Sequence, residues 1–189
     1  MKVTGMKWTA LLGAFGANQP VRQRIVGGAA QGLVSAAAAL IAYLPTKPLG
    51  LQEGFWGSIT AIAVVQGGLS ATQASARDQV VGAAIGGLFG AAVVTLVGQH
   101  LATYALAIVL CMSACWMLNV QSAARLGGST VTIIALVPHH STVGWALVSR
   151  ISEVGWGVAV GIATVWLVNK VKARLDGKPR ESPQGSELQ

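Results

Sequence analysis

The chain has 189 residues, 53% of them hydrophobic and only 10% charged, with a formal net charge of +7. So few charges cannot cover a water-soluble domain of this length, in which about a quarter of the residues would be charged. The basic residues gather near the two ends and form no patch interleaved with aromatics, which argues against a nucleic-acid partner and for a membrane topology signal.

Residues 1–21 carry Lys2 and Lys7, then Trp8, Leu11, Leu12 and Phe15. This reads either as a short signal peptide or as an amphipathic helix in the cytoplasmic interface. The apolar stretch is poor and Pro20-Val21-Arg22 runs directly into an apolar segment, so the interfacial helix is preferred. A spanning helix needs about 20 mostly apolar residues. Ile25–Leu44, Val80–Val97, Leu101–Leu118 and Val148–Val168 satisfy that. Phe55–Leu69 and Leu126–Val137 are shorter, but too apolar for loops, and they end at Gly67-Gly68 and Pro138. The expectation is an all-α polytopic membrane protein, with six transmembrane helices in residues 22–169 and a basic, disordered cytoplasmic tail over 170–189.

Orientation follows from the positive-inside rule. With the N-terminus inside, eleven of the thirteen Lys and Arg fall on the inner side and only Lys47 and Arg150 fall outside. Both termini are therefore expected in the cytoplasm, and the chain in the bacterial inner membrane. The halves also resemble each other. Ser58-Ile59-Thr60 opens a short helix, broken at Gln66-Gly67-Gly68 and followed by Arg77, Asp78 and a glycine-rich helix; Ser129–Thr132, Pro138-His139-His140, Arg150, Glu153 and Gly155 follow the same order. Three helices per half makes the two repeats inverted, and paired interrupted helices in inverted repeats point to a transporter's central site.

No catalytic constellation, metal-ligand cluster or phosphate-binding loop is visible, so neither enzyme activity nor a cofactor or metal is expected. Cys111 and Cys115 sit one turn apart in an apolar run and read as buried structural thiols. Gly82, Gly86 and Gly90 make a smooth helix face for close packing, within one chain or between two. Arg77 with Asp78, and Arg150 with Glu153, read either as interfacial anchors with local ion pairing or as functional charges. Thr60, Gln66, Thr72, Ser129 and Thr132 read either as hydrogen-bond partners of neighbouring backbone or as contacts to a ligand. His139 reads as a loop histidine or a proton carrier. Trp56 opens the short second helix, where it serves an aromatic belt or lines a site for a planar ligand.

The block Phe55-Trp56-Gly57-Ser58-Ile59-Thr60, then Val64-Val65-Gln66, Thr72, Asp78 and Gly82 to Gly86, resembles the fusaric acid resistance / aromatic acid exporter family. Arg150, Glu153 and Gly157 repeat that family's arginine, acidic and glycine spacing in the second half, and the resemblance covers roughly residues 22–169. The family often has arginine where this chain has Gln79, commonly continues into a cytoplasmic domain, and often repeats the whole unit. The resemblance implies efflux of aromatic or other organic carboxylates, linked to the proton motive force, by a homodimer in membrane lipid. Substrate contacts would be Arg150, Arg77, Trp56, Gln66 and Thr60; proton carriers would be Glu153, Asp78 and His139. A passive anion channel, and a membrane scaffold without transport, are the competing expectations.

Overall fold

A computed structural model describes residues 20–48, 54–137 and 143–175. Six α-helices occur among them: α1 Val21–Tyr43, α2 Phe55–Val64, α3 Leu69–Val97, α4 Leu101–Met117, α5 Gln121–Leu136 and α6 Val143–Leu175. The chain divides into two compact units, Met1–Leu33 and Val34–Gln189. The first contributes the opening turns of α1, started by the Pro20 carbonyl, which accepts from the Gln23 and Arg24 amides at 2.9 and 3.3 Å. The second holds everything that follows.

Three of the breaks have simple local causes. After α1, Pro45 enters a 3-10 turn over Leu44–Thr46, where Thr46 Oγ1 donates to the Tyr43 carbonyl at 2.6 Å. Helix α2 stops at Val64 because Val65 turns extended (φ −63°, ψ 115°). The freed Gln66 amide then donates to Thr72 Oγ1 at 3.0 Å, and Ser75 Oγ donates to the Ala63 carbonyl. The α3–α4 turn passes through Gly98 at φ +93°, a conformation that side chains bearing a Cβ rarely adopt.

Several boundaries depart from the sequence expectation by about one turn, among them the end of α2 at Val64 and the start of α5 at Gln121, and two depart further. Helix α3 begins at Leu69, eleven residues before the expected Val80. Residues 69–79 are polar enough to lower hydropathy but contain no Gly or Pro, so nothing stops the helix. Helix α6 runs from Val143 through Leu175, so the first residues of the expected tail are helical; Lys172 and Arg174 favour the last turn through the helix dipole. Residues 1–19, 138–142 and 176–189, including His139 and His140, lie outside the described residues.

Close helix packing determines the arrangement. Helix α5 lies along α3, where a Cβ on Gly86 would collide with the Gly127 carbonyl and one on Gly82 would meet the Ala123 carbonyl at 2.8 Å. Helix α2 lies along α6 in the same way: a Cβ on Gly157 would collide with the Gly57 carbonyl and meet Thr60 Cβ at 2.7 Å. Both pairs run parallel, since contacts advance together from Gly82 to Gly90 against Ala123 to Val131, and from Gly57 to Val64 against Glu153 to Gly161. Each short helix is thus seated on the long helix of the other half of the chain. Helices α3 and α6 also pack on each other, where Leu147 fills the space over Gly87. Because α2 reverses into α3 at the Gln66–Thr72 corner, α3 and α6 run in opposite senses.

The glycine face at Gly82, Gly86 and Gly90 is consequently filled by α5 of the same chain and offers no open surface to a second copy. Two apolar clusters flank the seams. One joins Ala38 and Ala42 of α1 to Ala61, Val65, Val160 and Val165; the other joins Val93, Ala107, Cys111, Cys115, Ala124 and Val131. Cys111 and Cys115 are buried and free.

Three helical segments are long and apolar enough to cross a membrane: Val21–Thr46, Leu69–Val97 and Gly144–Leu175. Phe55–Val64 and Leu101–Met117 are apolar but shorter. At 1.5 Å per residue α2 reaches only about 15 Å, roughly half of a hydrocarbon core. Leu33, Leu96, Leu101, Trp116 and Met117 are exposed, as lipid-facing side chains must be.

Candidate functional site

The α2–α6 seam brings a charged pair and an aromatic ring together. Arg150 stands on α6 seven residues before Gly157, and only 7% of it is exposed. Its guanidinium carbon lies 5.1 Å from the centroid of the Trp56 ring in the first turn of α2. Its Nη1 lies 3.6 Å from Oε2 of Glu153, one turn further along α6. Ser149 Oγ donates to the other carboxylate oxygen at 2.9 Å, which fixes the Glu153 rotamer. Phe55 packs on Trp56 with ring centroids 4.8 Å apart at 35°.

The local chemistry explains why this cluster is stable. A buried guanidinium costs several kcal/mol unless paired. Here a carboxylate and a ring quadrupole face it, and a desolvated cation–π contact is worth about 2 kcal/mol. The approach depends on Gly157. With no Cβ there, the Gly57 carbonyl and Thr60 close onto α6 and carry the first turn of α2 over Arg150, whereas a Cβ on Gly57 would make only ordinary contacts. Trp156 supports the same end by donating from Nε1 to the Ala42 carbonyl at 3.0 Å.

The other expected site residues are distributed as follows. Thr60 is buried on the same seam, against Gly157, one turn from Trp56. Gln66 is exposed at the α2–α3 corner, and its Nε2 donates to the Ala63 carbonyl at 3.2 Å. Arg77 is exposed on α3, and its neighbour Asp78 accepts from Ser122 Oγ of α5 at 2.8 Å. His139 lies outside the described residues. Among the described residues no group of three or more His, Cys, Asp or Glu gathers.

The counterpart of Arg150 in the first half is Gln79 rather than Arg77. Gln79 stands seven residues before Gly86, as Arg150 stands seven before Gly157, and these two glycines receive the Gly127 and Gly57 carbonyls. Gln79 is buried, whereas Arg77 is not. The equivalent of Glu153 is Gly82, so the first half carries no charged pair there. The resemblance already aligns Gln79 with the family's arginine; Arg77 is the expected contact only because it carries the charge, and counting back from the two seam glycines agrees with Gln79. Sequence reasoning passed over Ser149, which its i, i+4 spacing to Glu153 reveals.

An all-helical fold with membrane-length helices, apolar outer faces and a buried ion pair at a helix seam defines a multi-pass membrane protein. A family model described as fusaric acid resistance protein-like matches residues 34–164, more than half of the chain, and the chain belongs to that family. This accords with a membrane transport or resistance role. No curated protein and no solved structure matches the chain.

Proposed function

We propose that this protein exports organic, aromatic carboxylate anions across the bacterial inner membrane, driven by the proton motive force. The observation that carries the reading is Arg150, held in α6 between Trp56 and Glu153. An ionisable residue within a spanning helix is expensive even when paired and points to a pathway. At 3.6 Å the Arg150–Glu153 contact is an ion pair longer than a good hydrogen bond, which a ligand carboxylate can displace through bidentate contact. Protonation of Glu153 would free the guanidinium for that ligand, which links anion binding to a proton. The indole beside Arg150 offers a planar face to an aromatic ring.

In this reading the chain crosses the membrane six times as two inverted three-helix units, α2 completing its crossing through the extended residues 65–68, with both termini inside, and two copies associate in the lipid. The reciprocal seating of α2 on α6 and α5 on α3 supports the inverted relation. The test is flux of benzoate in reconstituted vesicles with and without an imposed pH gradient. Wild type should accumulate benzoate against its gradient. Arg150→Lys should retain part of the flux, because Lys supplies charge without the bidentate fork, and Arg150→Gln should lose about 90% or more. Flux that only dissipates gradients would identify a channel. Equal flux in wild type and a folded Arg150→Gln would remove Arg150 from the mechanism.

A further inference from the structure

Three contacts fix where the Arg150 cluster lies along the bundle. Ser58 Oγ of α2 donates to the Ala39 carbonyl at 3.1 Å, and Trp156 Nε1 of α6 donates to the Ala42 carbonyl at 3.0 Å. Gly54, just before α2, lies against the Thr46 side chain. These partners belong to the last turns of α1 or to the 3-10 turn that follows it. Trp56 falls between Gly54 and Ser58, and Arg150 lies against Trp56, so the cluster sits at the end of the bundle where α1 stops, not halfway along it. Lys47, with Nζ 5.3 Å from the Tyr43 ring centroid, marks the same end.

The equivalent positions at the other end carry no such cluster. The Gly57 and Gly127 carbonyls make matching seam contacts, with Gly157 and Gly86, so Leu126 stands where Trp56 does. Gln79 stands for Arg150 and Gly82 for Glu153. A Cβ on Gly82 would meet Leu126 Cβ at 2.8 Å, so that space is already filled. These groups offer an anion no charge to offset its desolvation. Arg77 and Arg125 are exposed in that half, where solvent screens them.

We infer that the protein has one built anion site, at the mouth marked by Lys47, rather than a central site reached from both sides, and that carboxylate on that side occupies it and slows export. The inference rests on the transport reading above, in which the Lys47 side is the release side. An anion leaving the bundle passes Arg150 last, and one already held there repels the next.

The experiment uses Arg150→Cys and Lys47→Cys in right-side-out and in inverted membrane vesicles, treated with the impermeant anionic reagent 2-sulfonatoethyl methanethiosulfonate. Wild type, whose two cysteines are buried, gives the background. Both variants should be modified from the same side only. In parallel, impermeant 1,3-benzenedisulfonate is added to one side of vesicles moving benzoate. On the Lys47 side it should inhibit at concentrations at least about tenfold lower than on the other, the scale by which a focused charge raises local anion concentration. Arg150→Lys should shrink that ratio. Modification of folded Arg150→Cys from both sides, from neither, or only from the side opposite Lys47→Cys overturns the inference, and so does equal inhibition from either side; benzoate flux in those cases leaves the transport reading intact. Absence of benzoate flux in wild type defeats the transport reading instead, and the slowing of export falls with it.

Discussion

Substitution of Gly86 by alanine tests whether the α3–α5 seam is as tight as the structure indicates. The new methyl would collide with the Gly127 carbonyl and lie 2.8 Å from Gly127 Cα and its carbonyl carbon. All three atoms are backbone, so no rotamer change relieves the overlap and the helices must separate. Overpacking of this kind costs about 1–3 kcal/mol. Alanine returns about 0.5–1 kcal/mol through helix propensity, so the midpoints leave a net loss of about 1 kcal/mol. For a chain of this length 1 kcal/mol moves Tm by about 2–4 °C, which is the expected fall in detergent. Gly155→Ala is the control, since a Cβ there meets nothing within 4 Å, and it should match or exceed wild type. Cys111 supplies an independent readout. Its Sγ would lie 2.7 Å from a Cβ on Gly127, so an opened seam should speed its reaction with a maleimide. Equal Tm and equal thiol reactivity in Gly86→Ala and Gly155→Ala would refute the seam.

Three further outcomes are expected. Trp156→Phe removes the hydrogen bond to the Ala42 carbonyl and should lower stability by about 0.5–1.5 kcal/mol, measured by thermal unfolding; an unchanged Tm would detach Trp156 from the α1 end. Glu153→Gln should preserve benzoate binding in equilibrium titration but flatten the dependence of flux on the pH gradient, and a dependence equal to wild type would exclude Glu153 as the coupled acid. A single cysteine replacing Lys47 should react with an impermeant thiol reagent from the periplasm, and one replacing Ser186 should not; the reverse pattern would invert the proposed orientation.

The number and order of helices were legible because apolar runs alternate with true breakers, such as Gly67-Gly68 and Gly98. The start of α3 was not legible from hydropathy. Thr72, Arg77 and Asp78 precede the expected apolar run, yet Thr72 caps the α2–α3 corner and Asp78 meets Ser122 from within a helix. Hydropathy reports where a helix can face lipid, whereas helix continuation requires only the absence of a stop. The Arg150–Glu153 pair could be read from spacing, being local to one helix. The Trp56 contact could not, because it depends on α2 pairing with α6 far along the chain.

The exchange of short helices also constrains how the protein is made. Gly57 meets Gly157, about 100 residues later in the chain, so at 5–20 residues per second α2 waits roughly 5–20 s for its seat. During that interval a ten-residue helix, too short to reach across the bilayer, has lost its main packing partner to the ribosome. Neither half can finish alone: α2 needs α6 and α5 needs α3. A chain cut after Asn119 would therefore leave two fragments that accumulate only when produced together, and nascent chains stalled before α6 would be the form most exposed to membrane proteases.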